Sequence, residues 1–136
     1  MDHDHLIGQV QARARLGSRG EAETATRATL ETIAERIPAG LADNLAARLP
    51  TGDGEHLRRV TTAPDRPTTG VRMEADEFYD RVAQRAGEDP RKAAQEARCV
   101  REVVGEAVEG RMTDKLRESV GPELSRTLFA GSAGTA

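Results

Sequence analysis

The stretch SRGEAETATRATLETIAERI (Ser18 to Ile37) returns in altered form as DPRKAAQEARCVREVVGEAV (Asp89 to Val108), and the relation between the two decides the fold. Each opens on a helix N-cap. Ser18 followed by Glu21 is a capping-box pattern, in which the hydroxyl accepts a free amide of the first turn. Asp89 is an N-cap followed by Pro90 at the first helical position, where a missing N–H costs nothing. A shift of 71 positions (89 minus 18) lays one copy on the other. In that register Ala22, Arg27, Glu31, Glu35, Asp43, Leu45 and Leu57 meet identical residues at Ala93, Arg98, Glu102, Glu106, Asp114, Leu116 and Leu128. Ile33 with Val104, Ile37 with Val108, Leu41 with Met112 and Leu49 with Val120 keep their apolar character. Chance alignment of two amphipathic helices explains the leucines but not the matched caps, arginines and glutamates, so the chain reads as a duplication.

On the N-terminal side, Leu6, Ile7, Val10 and Ala14 recur at helical spacing and form a first helix that stops near Gly17. The second helix buries Ala22, Thr26, Thr29, Ile33 and Ile37 and is broken by Pro38 and Gly40. Leu41, Leu45 and Leu49 mark a short third helix ended by Pro50, and Leu57 with Val60 suggests one weak further turn. Thr61 to Val71 carries Pro64, Pro67 and Gly70 without apolar period and reads as a linker. The pattern then restarts. Phe78, Val82 and Ala86 repeat the first stripe at a shift of 72, so a single indel falls before the cap. Ala93, Ala97, Val100, Val104 and Val108 make the next stripe, followed by Met112, Leu116 and Val120, then by Leu124, Leu128 and Phe129 after Gly121-Pro122. The expected architecture is an all-α compact helical bundle of two tandem, pseudo-two-fold-related units of three to four helices each. Its divisions are a first unit over 1–60, a linker over 61–73, a second unit over 74–129 and a disordered tail over 130–136, the two units sharing one core.

The repeated pattern resembles the bacterial and archaeal domain-of-unknown-function family 2267. The resemblance runs from about Leu6 to Phe129 and rests on the apolar opening with Val82-Ala83-Gln84-Arg85, the capped Ala-rich helix with Arg-x-x-x-Glu, and the leucine-spaced helix ending in Leu49-Pro50. Two places depart from it: the first copy reads Val10-Gln11-Ala12-Arg13, and the second ends in Val120-Gly121-Pro122. It implies a helical tandem fold and supplies no activity and no catalytic residues.

Composition narrows the function classes. A net charge of −3 and an aromatic content of 2% give no global attraction to phosphate and almost no base-stacking surface, so nucleic acid is not the expected partner. No apolar run approaches the ~20 residues that span a bilayer, the N-terminus lacks a secretory pattern, and a cytoplasmic protein without membrane association is expected. Cys99 is the single cysteine, so no intrachain disulfide forms; a passive helical thiol in a reducing compartment is the plain reading.

Candidate chemistry is sparse. Met1-Asp2-His3 has the spacing at which a terminal amine, two amides and an imidazole surround Cu(II) or Ni(II), and His5 adds a His-x-His; these two histidines are candidate metal ligands, and the helix carboxylate pairs could chelate a divalent cation. His56 has no triad partner at a recognisable spacing and reads as a surface loop residue. Glu31 with Glu35 and Glu102 with Glu106 stand one helical turn apart, and with Arg27 and Arg98 nearby they read as ionic faces rather than acid–base pairs. The kept Arg27, Glu31, Asp43, Arg98, Glu102 and Asp114 are expected to form inter-repeat ion pairs, each arginine reaching an acid of the other copy.

No enzyme activity and no cofactor are expected. The favoured function is a non-enzymatic module that binds a protein partner or itself, with Ala22, Ala25, Ala28, Ala93, Ala94 and Ala97 allowing close helix approach. A homodimer is an open option, because the same stripes serve a monomer or a dimer that swaps halves. The alternatives are a nucleic-acid-associated regulator using Arg13, Arg15, Arg19, Arg58 and Arg59, and a metal-binding protein or enzyme using the helix carboxylates or N-terminal histidines.

Overall fold

Each helix starts where the sequence supplies a start. The computed structural model describes residues 1–108 and 110–130, and among these the chain is all-α, with no strand. In order, the helices are α1 (His3–Ala14), α2 (Arg19–Arg36), α3 (Ala39–Arg48), α4 (Thr51–Thr61), α5 (Ala75–Ala86), α6 (Pro90–Val108), α7 (Met112–Ser119) and α8 (Pro122–Leu128). Asp2 caps α1 through the amide of His5 at 2.8 Å, and Ser18 caps α2 through the amide of Glu21 at 3.1 Å. Asp89 accepts from the amide of Arg91 at 2.7 Å at the head of α6. The Ser18 hydroxyl also points at the Glu21 carboxylate, 3.4 Å away.

The long helices dock crosswise. α1 packs on both α2 and α6, α5 packs on both α6 and α2, and α2 touches α6 between them. Each of the first helices therefore covers its own neighbour and the long helix of the other half. Leu6, Ile7, Val10, Phe78, Val82, Val100 and Leu30 are all at or below 1% exposure within this single core. The five-residue stripe expected for α2 describes only part of its burial, since Ala25, Ala28, Leu30, Thr32 and Ala34 are buried as well. The reason is tertiary: α1, α4, α5 and α6 enclose α2 from different sides, and its alanines and threonines are small enough to admit them.

α3 and α4 form a tight pair. In α3 the buried positions are Ala42, Leu45 and Ala46, followed by Leu49, with Leu41 at the edge, because the inward face is set by contact with α4. That contact passes through Gly54, where an added Cβ would lie 2.6 Å from the Ala46 carbonyl oxygen. α4 is a helix of 11 residues, longer than the weak turn that its glycines suggest. Pro50 starts it, Asp53 sits favourably in its first turn, and packing overrides low propensity.

The connection from Thr62 to Glu74 is fastened to the end of α2. Val71 N–H donates to the Glu35 carbonyl at 2.8 Å, Ala39 N–H donates to Thr68 at 2.9 Å, and the Arg66 guanidinium donates to the carbonyls of Ala34 and Ile37. The last carbonyls of α2, which a helix leaves without internal partners, are satisfied in this way. Gly70, at φ +86°, allows the crossing, for a Cβ there would stand 2.5 Å from the Arg36 carbonyl oxygen. Of the expected tail, Ala130 ends the description in a turn, and residues 131–136 lie outside the described residues.

Candidate functional site

Two arginine-centred bridges join the halves, beside a longer Lys92–Glu21 contact of 3.6 Å between α6 and α2. Arg85 on α5 reaches α2, placing Nη1 2.9 Å from Glu35 and Nε 3.5 Å from Glu31, and it donates to the Thr32 hydroxyl at 2.7 Å. Arg81, one turn earlier, lies 2.7 Å from the other oxygen of Glu35 and also pairs with Glu77. On the other side Arg13 on α1 reaches α6, 2.7 Å from Glu106 and 3.8 Å from Glu102. The bond from Arg13 holds the Glu106 carboxyl below the usual range, and the same bond raises Arg13. The two bridges differ in burial. The Glu31 and Glu35 side chains are 14% and 21% exposed, against 37% and 53% for Glu102 and Glu106, so the α2 bridge is the less screened of the two.

The six residues expected to form inter-repeat pairs divide unevenly. Glu31 and Glu102 do face arginines of the other half, but those arginines are Arg85 and Arg13, which spacing alone did not single out. Arg27 pairs within its own helix, at 3.2 Å from Glu31, and crosses only to donate to the Arg85 carbonyl at 3.2 Å. Asp43 accepts from Thr61 at 3.5 Å and Asp114 pairs with Arg117 at 3.0 Å, each inside its own half. Arg98 forms no ion pair among the described residues. The geometric cause is reach: α1 and α5 lie directly against the opposite long helix, and Arg13 and Arg85 sit near their C-terminal ends.

A third cluster gathers at the start of the chain. His3 Nδ1 lies 2.8 Å from Asp53 and Nε2 lies 2.8 Å from Glu23, so α1 is tied to both α4 and α2. Asp53 is fully buried, and its hydrogen bond is the main reason the His3 pKa is raised. Each ring nitrogen faces a carboxylate oxygen, and where the ring is protonated both donate and neither keeps a lone pair for a metal or a substrate proton. His5 is exposed and does not join it. Among the described residues no group of three His, Cys, Asp or Glu is placed to hold a metal ion. An open cleft of about 350 Å³ adjoins this cluster, lined by His3, Glu23, Thr24, Arg27, Gly52 and His56. His56 belongs to α4 rather than to a loop; burial, then the nearby Arg59 charge, lowers its pKa.

Two further groups are quiet or unusual. The Cys99 thiol is half-buried and pushed up by that burial, which disfavours the thiolate. Glu96 is 3% exposed, and burial followed by a hydrogen bond to Glu88 raises its pKa to about 8. The arginines of the candidate basic patch are mostly matched by acids: Arg19 by Asp4 at 2.6 Å, Arg58 by Glu55 at 3.8 Å, Arg59 by Glu31 at 3.3 Å and Arg13 by Glu106 at 2.7 Å. Arg15 alone of the five has no ion pair among the described residues.

A family model described as "Uncharacterized conserved protein (DUF2267)" matches residues 3–126. The chain belongs to the DUF2267 family. The matched span contains both ionic bridges and the His3 cluster, so in this DUF2267 chain these features lie inside the family domain. No curated protein matches the DUF2267 chain.

Proposed function

We propose that this DUF2267 chain is a non-catalytic protein-interaction module, built from two duplicated helical units that fold about a pseudo-two-fold axis into one body. The carrying observation is that equivalent polar residues perform the same joining task twice: Arg13 bridges to Glu102 and Glu106, and Arg85 bridges to Glu31 and Glu35. The carboxylate pairs that an acid–base site would need are thus engaged in holding the halves together. The histidine best placed for chemistry is engaged likewise.

The apolar stripes are consumed within the chain, and Met1 is the only large apolar side chain left exposed among the described residues. This favours a monomer whose partner is met through polar and charged contacts over a dimer that swaps halves. Neutralisation of the candidate basic patch favours a protein partner over nucleic acid. No helix among the described residues is long and apolar enough to cross a membrane, and the single thiol suits a reducing cytoplasm.

The test is a tagged pull-down from native extract, with and without nuclease, read by mass spectrometry beside sedimentation of the purified chain. A distinct protein partner that survives nuclease, with a sedimenting mass near 14.7 kDa, is the expected result. Loss of every partner to nuclease would transfer the case to the nucleic-acid regulator.

A further inference from the structure

Lys92, near the start of α6, stands among three glutamates. Its Nζ lies 3.6 Å from Glu21 on α2, 3.6 Å from Glu88 in the α5–α6 turn and 4.0 Å from Glu96 one turn further along α6. Among the described residues none of the three acids has a second basic partner. They differ in access to water: the Glu96 side chain is 4% exposed and that of Glu88 17%, against 46% for Glu21. Glu88 Oε1 is buried, and among the described residues no N–H or hydroxyl donor stands against it. One lysine does not balance three carboxylates of which two point inward, and a buried oxygen without a donor is costly. A single proton on Glu96 removes both difficulties, for it cancels one charge and gives Glu88 a donor.

That proton also decides where the lysine goes. With Glu96 neutral, Lys92 divides itself between Glu21 and Glu88 and so reaches from α6 to α2. Glu21 and Lys92 are equivalent positions of the duplication (92 minus 21 is the shift of 71), so the contact joins matching points of the two long helices. With Glu96 ionised, two adjacent carboxylates, one of them sealed from water, draw the lysine inward. Coulomb attraction is stronger where water is excluded, and Glu21 is the most solvated of the three acids. We propose that the proton shared by Glu88 and Glu96 is a switch on the joint between the halves: while it is held Lys92 bridges to Glu21, and when it leaves Lys92 transfers to the Glu88–Glu96 pair and lets Glu21 go.

The surroundings suit that role. Glu88, Lys92 and Glu21 are the charged groups that act on Glu96. Cys99 on the same helix feels the Glu96 charge, but burial holds its thiol protonated. From α1, Arg13 is turned towards Glu106 and Glu102. Burial, then Glu88, raises Glu96 from 4.5 to about 8, so the proton leaves just above neutrality. Once released, Glu21 remains in the first turn of α2, where negative charge is favourable, 3.4 Å from the Ser18 hydroxyl. The switch therefore undoes one link between the halves and leaves the helix start intact. It concerns the joint alone and holds whatever the chain binds.

Lys92 and Lys115 are the only lysines, so a chain labelled with ¹³C at the lysine ε-carbons gives two signals, with Lys115 as the internal control. The experiment follows both by ¹H–¹³C NMR of the full chain from about pH 6 to about pH 9, below the ordinary lysine range. Lys92 is expected to shift in one step centred near 8 while Lys115 stays flat. Nuclear Overhauser contacts from the Lys92 ε-protons to the Glu21 γ-protons are expected below the step and lost above it, where those to Glu96 strengthen. Glu96→Gln removes the step and keeps the Glu21 contact throughout. Glu21→Gln moves the Lys92 signal below the step and leaves it unchanged above. A flat Lys92 signal, a Glu21 contact that persists above the step, or a step that survives in Glu96→Gln would each overturn the proposal. Should Glu96→Gln not fold, Glu88→Gln decides: the step is expected at lower pH, and an unmoved step would refute the shared proton.

Discussion

Replacing Glu96 by glutamine is expected to stabilise the protein in alkaline solution and to leave it nearly unchanged in acid. The Glu96 side chain is 3% exposed, and its pKa is raised from 4.5 to about 8 by burial, by its hydrogen bond to Glu88 and by the Glu88 charge. Lys92, with Nζ 4.0 Å from Glu96 and 3.6 Å from Glu88, acts in the opposite direction. Between 4.5 and about 8 the folded chain keeps a proton that the unfolded chain has released, so stability falls as pH rises through that window. One retained proton costs ~1.4 kcal/mol for each pH step of one across the window, so the loss between pH 5 and pH 9 is at most about 4 kcal/mol. Lys92, which is half exposed, trims that loss by swinging onto the ionised pair. Glutamine keeps the shape and still donates to Glu88 but has no proton to lose. Urea denaturation of both proteins from pH 5 to pH 9 is the assay, since unrelated titrations cancel in the difference between them. The glutamine variant is expected to gain about 2–4 kcal/mol on the wild type across that range. Curves that stay parallel within about 0.5 kcal/mol would refute the reasoning.

The α2 bridge is expected to matter more than the α6 bridge: Arg85→Met costs about 1–2 kcal/mol in urea denaturation, Arg13→Met less than about 1, and Arg98→Met, at a residue without an ion pair among the described residues, about zero. In an NMR titration His3 is expected to titrate above 6.5 and His56 below it, and Asp53→Asn brings His3 down. Because the His3 pKa is raised by folding, its contribution to stability is full below 6.5 and disappears as pH rises through the folded value. Gly54→Ala is expected to destabilise by about 1–3 kcal/mol, since its Cβ would strike the Ala46 carbonyl, whereas Gly52→Ala, with nothing within 4 Å, is neutral or gains up to about 1 kcal/mol in the same assay.

What could be read from the sequence was local. Helix starts at Ser18 and Asp89 follow from cap chemistry within a few residues, and the stripes of α1, α5 and α6 follow from period. α4 escaped because the Thr51-Gly-Asp-Gly54 start has the composition of a loop. Its helix is imposed by Pro50 and by an approach to α3 so close that only glycine fits. The full burial of α2 also escaped, since it depends on α5 arriving from the other half. The same distinction runs through the site. Glu31, Glu35, Glu102 and Glu106 stood out by their spacing, while Arg85 was visible only in the opening pattern and Arg13 only there and in the candidate basic patch, neither as a bridge. His3 could not disclose its tie to Asp53, fifty residues away.

The crosswise body is tested most directly by dividing the chain and following helicity by circular dichroism. Fragments 1–73 and 74–136 each lack the long helix that covers their first helix from the other side. Each alone is expected to be poorly helical and to melt without cooperativity, and an equimolar mixture is expected to recover the helicity and a sharp transition as a one-to-one complex. A fragment that folds cooperatively by itself, with no gain on mixing, would contradict the account.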